Sequence, residues 1–332
     1  MNNRKQYNIL WWLLPAVLLL GACHSKGSRK FALIPVKMGR GSVVDKYPKV
    51  PQDEILHEIA GNRLYSELKE RYTQSLTDLR DAVAYDAAKL VVVIMTPETG
   101  KSITMANSYG IPYIKLMCSN LNIECVDLTP ALGSQEAAAI TQMPFDGHWS
   151  KAGAALIADQ LAPVVDMYTR YRTTRVFPDS QRPKLLGDLE PNANEVIDDE
   201  QNLHYRLRSN SEGLRMDHDL KFPKTKQTIL FLGDDQLFSP FLDNEFTATS
   251  LLQKRYPDKE IVNAGCISYT MEDYLTLYKE KARYMEPDVV VVCTNGGDIL
   301  DYYFSQRNRF SRTEKSYRPS ELERKFYEQL YN

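Results

Sequence analysis

A histidine and a carboxylate two residues apart form the first group of side chains in this sequence that could do chemistry. Asp146 and His148 precede Trp149, and a helix signal starts at Ser150. Histidine titrates near neutral pH, and a neighbouring carboxylate can fix which ring nitrogen carries the proton. The pair therefore suits a general base and its orienting acid. The structural alternative is a hydrogen-bonded pair that caps the helix after Ser150.

Five short apolar runs must position these side chains, and they are typical of buried parallel strands. The runs are Leu90–Met95, Ile123–Leu128, Thr228–Leu232, Ile261–Asn263 and Val289–Cys293. Helical patterns alternate with them, which predicts an α/β fold with a doubly wound, five-stranded parallel sheet. Sites in such sheets form at the carboxyl ends of strands, so the second candidate group is Gly233-Asp234-Asp235, directly after the third run.

The domain organisation depends on a polar stretch at about 173–227, which is rich in charges and prolines. It separates the first two apolar runs from the other three, and neither half makes a sheet alone. We therefore predict a single domain over 51–332 in which this stretch is a long internal connection with little core of its own.

Four parts of the sequence resemble one family. They are the DxHW element at 146–149, the segment 205–215, the block 262–265 and the block 287–298. Together they resemble the SGNH-hydrolase-like proteins related to AlgJ and AlgX, the alginate O-acetyltransferases. The resemblance implies a flavodoxin-like SGNH fold in circularly permuted order, because the Asp and His of that family precede its serine, as they would here.

The resemblance also implies roles for individual residues. His148 would be the catalytic base, and Asp146 would orient its ring. The other matching positions would line the site or its oxyanion hole: Gly233, Asp234, Gly265 and Trp149.

Two departures from the family pattern bear on function. Asp235 stands where the family has its nucleophilic serine, and an ionised carboxylate has no proton for His148 to remove. Gly297 stands at the usual oxyanion asparagine, and losing such a donor costs about 10²–10³ in rate. Asn295, two residues earlier, is the candidate replacement. Ser239, four residues after Asp235, is predicted to point elsewhere.

Three interpretations of Asp235 stay open. It can mark lost catalysis, it can be a carboxylate nucleophile that forms an acyl or glycosyl intermediate, or it can join Asp146 and His148 around a divalent cation. We favour the first, which predicts a protein that binds an envelope glycan or a partner and needs no metal or cofactor. The alternative is an active O-acetyltransferase or acetylesterase on envelope polysaccharide, served by an acyl-donor protein.

The N-terminus predicts an exported lipoprotein. Arg4 and Lys5 precede the apolar run Ile9–Leu20, which is too short to span a bilayer comfortably. The run ends in Leu-Gly-Ala-Cys, which resembles the lipobox of bacterial lipoproteins, so residues 1–22 are predicted to be a signal peptide. A plain secretory signal followed by a chance cysteine, Cys23, is the alternative.

Lipidation would make Cys23 the new N-terminus and hold it at a membrane through its acyl chains, with residues 23–50 as a tether. The expected location is the periplasm or cell envelope. His24, where an aspartate would favour inner-membrane retention, favours the outer membrane.

The net charge and the cysteine spacing bear on nucleic-acid binding, zinc binding and disulfide formation. Without Arg4 and Lys5, the 41 basic residues fall to 39 against 43 acidic ones, and the net charge moves from −2 to −4, so a nucleic-acid partner is not expected. The four cysteines after Cys23 show no CxxC spacing, which argues against a zinc site. An oxidising periplasm leaves a bridge between Cys118 and Cys125 open.

Overall fold

The computed structural model describes five segments of the chain, and the predicted signal peptide, the tether with Cys23, and Asp146 lie outside them. The segments are 63–96, 105–143, 147–198, 204–267 and 269–299. Within them no helix is both long and apolar enough to cross a membrane.

A five-stranded parallel sheet and a separate two-stranded hairpin make up the β-structure of these segments. In chain order the strands are β1 (Lys89–Ile94), β2 (Glu124–Asp127), β3 (Asn194–Asp198), β4 (His204–Arg208), β5 (Gln227–Gly233), β6 (Lys259–Asn263) and β7 (Val289–Thr294). Strands β3 and β4 form the antiparallel hairpin, and the other five form the sheet. All five predicted runs are therefore strands, and their bounds agree within two residues.

The order of the strands in the sheet is β2-β1-β7-β5-β6. If the strands are renumbered so that β5, β6, β7, β1 and β2 become strands 1 to 5, the order read from β6 across the sheet is 2-1-3-4-5. This is the flavodoxin-like order. The permuted order predicted from the sequence is thus present in the topology. Strand β7 pairs with both β1 and β5, so it joins the strands that precede the polar connection to those that follow it.

Helices cover both faces of the sheet. In chain order they are α1 (Arg63–Tyr85), α2 (Met105–Asn120), α3 (Thr129–Gly133), α4 (Ala137–Ile140), α5 (Lys151–Met167), α6 (Asp235–Phe238), α7 (Ala248–Arg255) and α8 (Met271–Glu280). One face packs against α1, α2 and α8, and the other packs against α5 and α7. Because both faces are covered, the strands are continuous apolar runs without alternation; β5 and β7 are buried along their whole length.

The polar connection contributes more to the core than its composition predicts. Leu186, Leu214 and Met216 are buried in the core on the α1 face of the sheet. Tyr205 and Leu207 of β4 point inward and form a small third cluster with Phe238, whereas the alternate residues of β4 face solvent. The connection therefore packs on the main domain, and its small cluster also includes Phe238 of that domain.

Candidate active site

The polar turns that follow β5 and β7 lie side by side at the carboxyl end of the sheet. These strands are neighbours. The chain after β5 leads to α7 on one face of the sheet, and the chain after β7 leads to Ile299 in the core on the other face, so the turns flank the topological switch point. Ligands of open α/β sheets bind in the crevice at this point. Asp234 and Asp235 follow β5, and Asn295 and Gly297 follow β7, so four predicted site residues reach the expected place.

The loop that carries His148 is held by backbone pairing. Trp149 forms an isolated antiparallel bridge with Thr141, and the carbonyl of His148 accepts from Gln142 N at 2.8 Å. Trp149 has no exposed surface and packs in the core beneath the loop, so it anchors the site and does not line it as predicted. Ser150 caps α5 by accepting from the Gly153 backbone, and the helix therefore needs no cap from His148.

His148 and Asp235 form the centre of the site. The Nε2 atom of His148 lies 3.2 Å from Oδ2 of Asp235, and the two side chains are 20% and 34% exposed. Burial acts to raise the pKa of the Asp235 carboxyl, but the charge and hydrogen bond of His148, with a further bond from the Gln236 N–H, hold that pKa below its ordinary value. Asp235 is therefore an ionised acceptor that faces the nitrogen predicted to act as base.

The turn after β5 has a fixed shape. Asp234 caps α6, accepting from Gln236 N at 2.9 Å, and its other carboxylate oxygen accepts from Asn295 Nδ2 at 3.1 Å. A Cβ on Gly233 would lie 2.6 Å from Leu237, so the strand can approach the helix closely only with glycine here. Asp234 thus ties the two turns together, and Asp235 is directed toward His148.

The N–H groups of Gly265 and Gly297 and the side-chain amide of Asn295 are bonded inside the protein. The Gly265 N–H donates to Asn263 Oδ1 at 2.9 Å, and the Gly297 N–H donates to Asn295 Oδ1 at 2.7 Å. The Asn295 amide is itself bound to Asp234. Short Asx-type turns take up the N–H groups of Gly265 and Gly297 in this arrangement, and the oxyanion roles of Gly265 and Asn295 stay predictions.

Ser239 is the nearest hydroxyl along the chain to the serine position, and it does not replace the serine. Its backbone is left-handed (φ 58°), and its Oγ donates to the carbonyls of Gln236 and Leu237 at 3.2 and 3.3 Å. The side chain is buried and bonded back into its own turn. The prediction that Ser239 points elsewhere is confirmed.

Three residues near His148 were given no role from the sequence. The ring of Phe241 packs edge-on against the imidazole with 6.0 Å between centroids, and Tyr205 packs edge-on against Phe241 at 5.8 Å. Phe241 has φ 65°, a conformation that costs energy for a bulky residue. Arg215 is fully buried and donates to the carbonyls of Phe238, Ser239 and Leu242.

These contacts explain how the strained loop keeps its shape. Burial lowers the pKa of Arg215 to about 10, so its guanidinium stays charged at neutral pH. It binds the carbonyls around the end of α6, where a cation is favoured. Arg215 lies in segment 205–215, one of the parts that resemble the family. Its carbonyl partners are more than 20 positions away in sequence, so no local pattern predicts these bonds.

The interpretation of Asp235 as a cation ligand requires Asp146 and His148 as further ligands. The described residues contain no cluster of three His, Cys, Asp or Glu side chains arranged to hold an ion. Asp146, which the cation interpretation requires, lies outside the described residues.

Comparisons with known proteins give structural neighbours only. No family model and no curated protein matches the chain. The O-acetyltransferase domain of Pseudomonas putida AlgJ is similar over 75% of this chain and 91% of that one, at 16% identity and a TM-score of 0.44. Pseudomonas aeruginosa AlgX has 14% identity over 69% of this chain and 58% of that one, with a TM-score of 0.40.

Bacillus cereus PatB1, solved with a sulfonyl adduct, has 10% identity over 71% of this chain and 89% of that one, with a TM-score of 0.39. At these scores the fold assignment rests on the sheet order of this chain. The class that the fold and site define is an α/β domain with an SGNH-like strand order and a histidine–aspartate pair at its switch point.

Proposed function

We propose that this chain is an envelope lipoprotein whose SGNH-like domain is related to polysaccharide O-acetyltransferases but no longer transfers acyl groups, and instead binds an envelope glycan or a partner protein. The contact between His148 and Asp235 carries the proposal. A serine at position 235 would give its proton to the base, whereas the carboxylate pairs with the base and removes it from use. The internal bonds of Gly265 and Asn295 support the same conclusion.

Asp235→Ser is expected to restore reactivity to the site. Serine at this turn would present a hydroxyl to His148, and a fluorophosphonate would phosphonylate it with release of fluoride. Hydrolysis of p-nitrophenyl acetate is expected to stay modest, because a missing oxyanion donor still costs about 10²–10³ in rate. The measurements are labelling and hydrolysis by the chain from His24 onward.

The controls separate the hydroxyl from the loss of charge. Asp235→Asn removes the charge without adding a nucleophile and is expected to be inert, as is the wild type; adding His148→Ala to Asp235→Ser should abolish the gain. Hydrolysis by the wild type that disappears in His148→Ala would instead establish the active-enzyme alternative, with Asp235 as an unconventional nucleophile. Glycan or partner binding would then be secondary to catalysis.

The membrane anchor is a separate part of the proposal and rests on the lipobox-like sequence before Cys23. Two or three acyl chains on this residue would hold the protein firmly, because each buried CH₂ contributes about 0.8 kcal/mol. Cys23→Ser is expected to carry no acyl chains and to leave the outer-membrane fraction of the bacterium that produces it. Mass spectrometry of the wild type should find acyl chains at residue 23, and an unmodified N-terminus there would contradict the anchor.

A further inference from the structure

A basic surface lies at the amino-terminal end of the sheet, opposite the candidate active site. One part of it is the turn from α1 into β1, and the other is the segment 168–176 that follows α5. The Tyr171 hydroxyl donates to the Ala87 carbonyl at 2.6 Å. The Thr173 hydroxyl donates to the Asp86 carbonyl at 2.7 Å. The segment is therefore fixed against the turn, and the two form one surface.

The outer side chains of this surface carry positive charge. Lys89, Arg170 and Arg172 are exposed, and in the described part of the chain none of them pairs with an acidic side chain. Arg172 donates to the backbone carbonyls of Thr169 and Tyr171. The Lys89 ammonium lies 5.1 Å from the centre of the Tyr171 ring. The charges of these three side chains are thus available to an anionic partner.

The nearby acidic side chains leave this charge in place. Asp86 is buried, and its carboxylate lies 3.8 Å from the Nε atom of Arg175, behind the exposed cations. The exposed Glu124 and Asp166 lie at the side of the surface, at the start of β2 and in the last turn of α5. Positive charge is therefore concentrated where the segment 168–176 meets the turn, although the whole chain has a net charge of −2.

Two large apolar side chains protrude among these cations. Tyr85 is 71% exposed and Val176 is 72% exposed, more than any other large apolar residue that the structure describes. The Arg175 guanidinium lies 5.4 Å from the centre of the Tyr85 ring, which links Tyr85 to the segment. Basic side chains mixed with exposed apolar and tyrosine side chains are typical of surfaces that enter a membrane interface. We call this group the basal surface: Tyr85, Lys89, Arg170, Arg172 and Val176.

We propose that the basal surface docks the domain on the anionic headgroups of a phospholipid membrane. The three cations would pair with lipid phosphates, and Tyr85 and Val176 would enter the boundary between headgroups and acyl chains. A soluble acidic polymer would match the cations but would leave Tyr85 and Val176 in water, so the combination favours lipid. The membrane itself comes from the anchor in the proposed function, whereas the surface is tested without that anchor.

Docking would set the direction in which the candidate active site faces. Residues 24–62 separate Cys23 from α1 and can span at most about 130 Å, so the anchor alone lets either end of the sheet face the membrane. With the basal surface on lipid, His148 and Asp235 lie at the far end of the sheet and face away from the membrane. An envelope glycan or partner protein would then reach the site from the aqueous side.

Vesicle sedimentation tests the basal surface with the chain from His24 onward, which carries no acyl chain. It is expected to bind vesicles of equal parts phosphatidylglycerol and phosphatidylcholine, and to be released at about 1 M salt, where the Debye length falls to about 3 Å. Arg170→Glu with Arg172→Glu should lower the partition coefficient at least about 25-fold, because each basic side chain near such a surface contributes about fivefold. Tyr85→Ser with Val176→Ser should lower it at least about tenfold, since their apolar area stays in water.

A matched control changes the same charge elsewhere. Arg71→Glu with Arg206→Glu alters two exposed arginines outside the basal surface, and Arg71 lies about 21 Å from Tyr85 along α1. This double variant is expected to bind the vesicles within about twofold of the wild type. Urea unfolding of every variant separates a loss of binding from a loss of fold.

Three results would overturn the proposal. The first is equal binding of the wild type to vesicles of pure phosphatidylcholine, or no binding to either kind. The second is a loss in the control as large as that in Arg170→Glu with Arg172→Glu. The third is binding to soluble polygalacturonate, lost in that variant, without binding to vesicles, which would assign the surface to acidic glycans. None of these results depends on acylation of Cys23 or on catalysis at position 235.

Discussion

Arg215→Ala is expected to lower the free energy of unfolding by about 3–5 kcal/mol, because it removes a buried donor that serves several acceptors and leaves a cavity. The guanidinium is 1% exposed and donates to three backbone carbonyls, those of Phe238, Ser239 and Leu242, and to Asn244 Oδ1 at 3.3 Å. Alanine would leave these acceptors buried without their donor and would open a cavity against the Phe238 ring, which the guanidinium now stacks on at 4.3 Å.

Chemical denaturation measures this loss, and two further variants show its origin. Arg215→Lys keeps the charge, but a lysine side chain donates from one nitrogen and cannot reach all the carbonyls. It is therefore expected to recover only part of the lost stability. Arg206→Ala is the matched control on the exposed face of β4, where the guanidinium bonds only to Asn194 among the described residues; it should change stability by less than about 0.5 kcal/mol. Equal effects of Arg215→Ala and Arg206→Ala would contradict the account.

The consequence of Arg215 for the site follows from the loop it binds. Ser239 and Phe241 both have positive φ, and such backbone persists only where its surroundings determine it. Arg215 binds the carbonyl groups around these two residues, and Phe241 in turn packs against His148. Arg215 is therefore a positioning residue for the imidazole, although it does not touch it.

The sheet could be predicted from the sequence because buried parallel strands leave a strong local pattern. Runs such as Leu90–Met95 and Val289–Cys293 are apolar on both faces and too short to be helices, so pattern and length agree. Their alternation with helices fixes the fold class. The strand order does not follow from this pattern; its prediction came from the family resemblance.

The centre of the site was predictable for a geometric reason, and its lining was not. The loops that follow the strands of a parallel sheet lie together at its carboxyl-terminal end, and this brings His148 and Asp235 together. The loss of Gly265 as an open donor depends on an Asn263 rotamer, and the burial of Trp149 depends on a bridge to Thr141. Side-chain rotamers and isolated bridges leave no mark in the sequence pattern.

The polar connection shows the same limit. Its composition predicts little core, yet buried carboxylates at the amino-terminal ends of the strands, opposite the candidate site, hold it in place. Glu286 accepts from the Phe177 backbone and from Arg182, and Asp288 accepts from the Thr173 backbone. These partners lie about 100 or more positions apart in sequence. Charged side chains that the sequence predicts to face solvent therefore bond the connection to the main domain.

Asp288 is the strongest of these ties, and Asp288→Ala is expected to cost about 3–5 kcal/mol of stability. The side chain has no exposed surface and holds both ends of the connection: it accepts from Thr173 N at 2.7 Å, from Lys224 Nζ at 2.9 Å and from Thr228 N at 2.8 Å. Alanine would leave the buried Thr228 N–H and the partly buried Thr173 N–H without an acceptor and Lys224 without its counter-charge, and each loss carries a desolvation penalty.

Asp159→Ala is the control, because Asp159 pairs with Arg255 at the surface, where the two side chains are 60% and 44% exposed and solvent screens the pair. Asp288→Asn separates charge from hydrogen bonding, since its amide oxygen can serve one N–H but its NH₂ would face the other. We expect it to recover less than half of the loss measured by urea unfolding. A loss in Asp288→Ala no larger than in Asp159→Ala would mean that the connection is held by its apolar contacts, with Leu186 and Leu214 in the sheet core carrying that role.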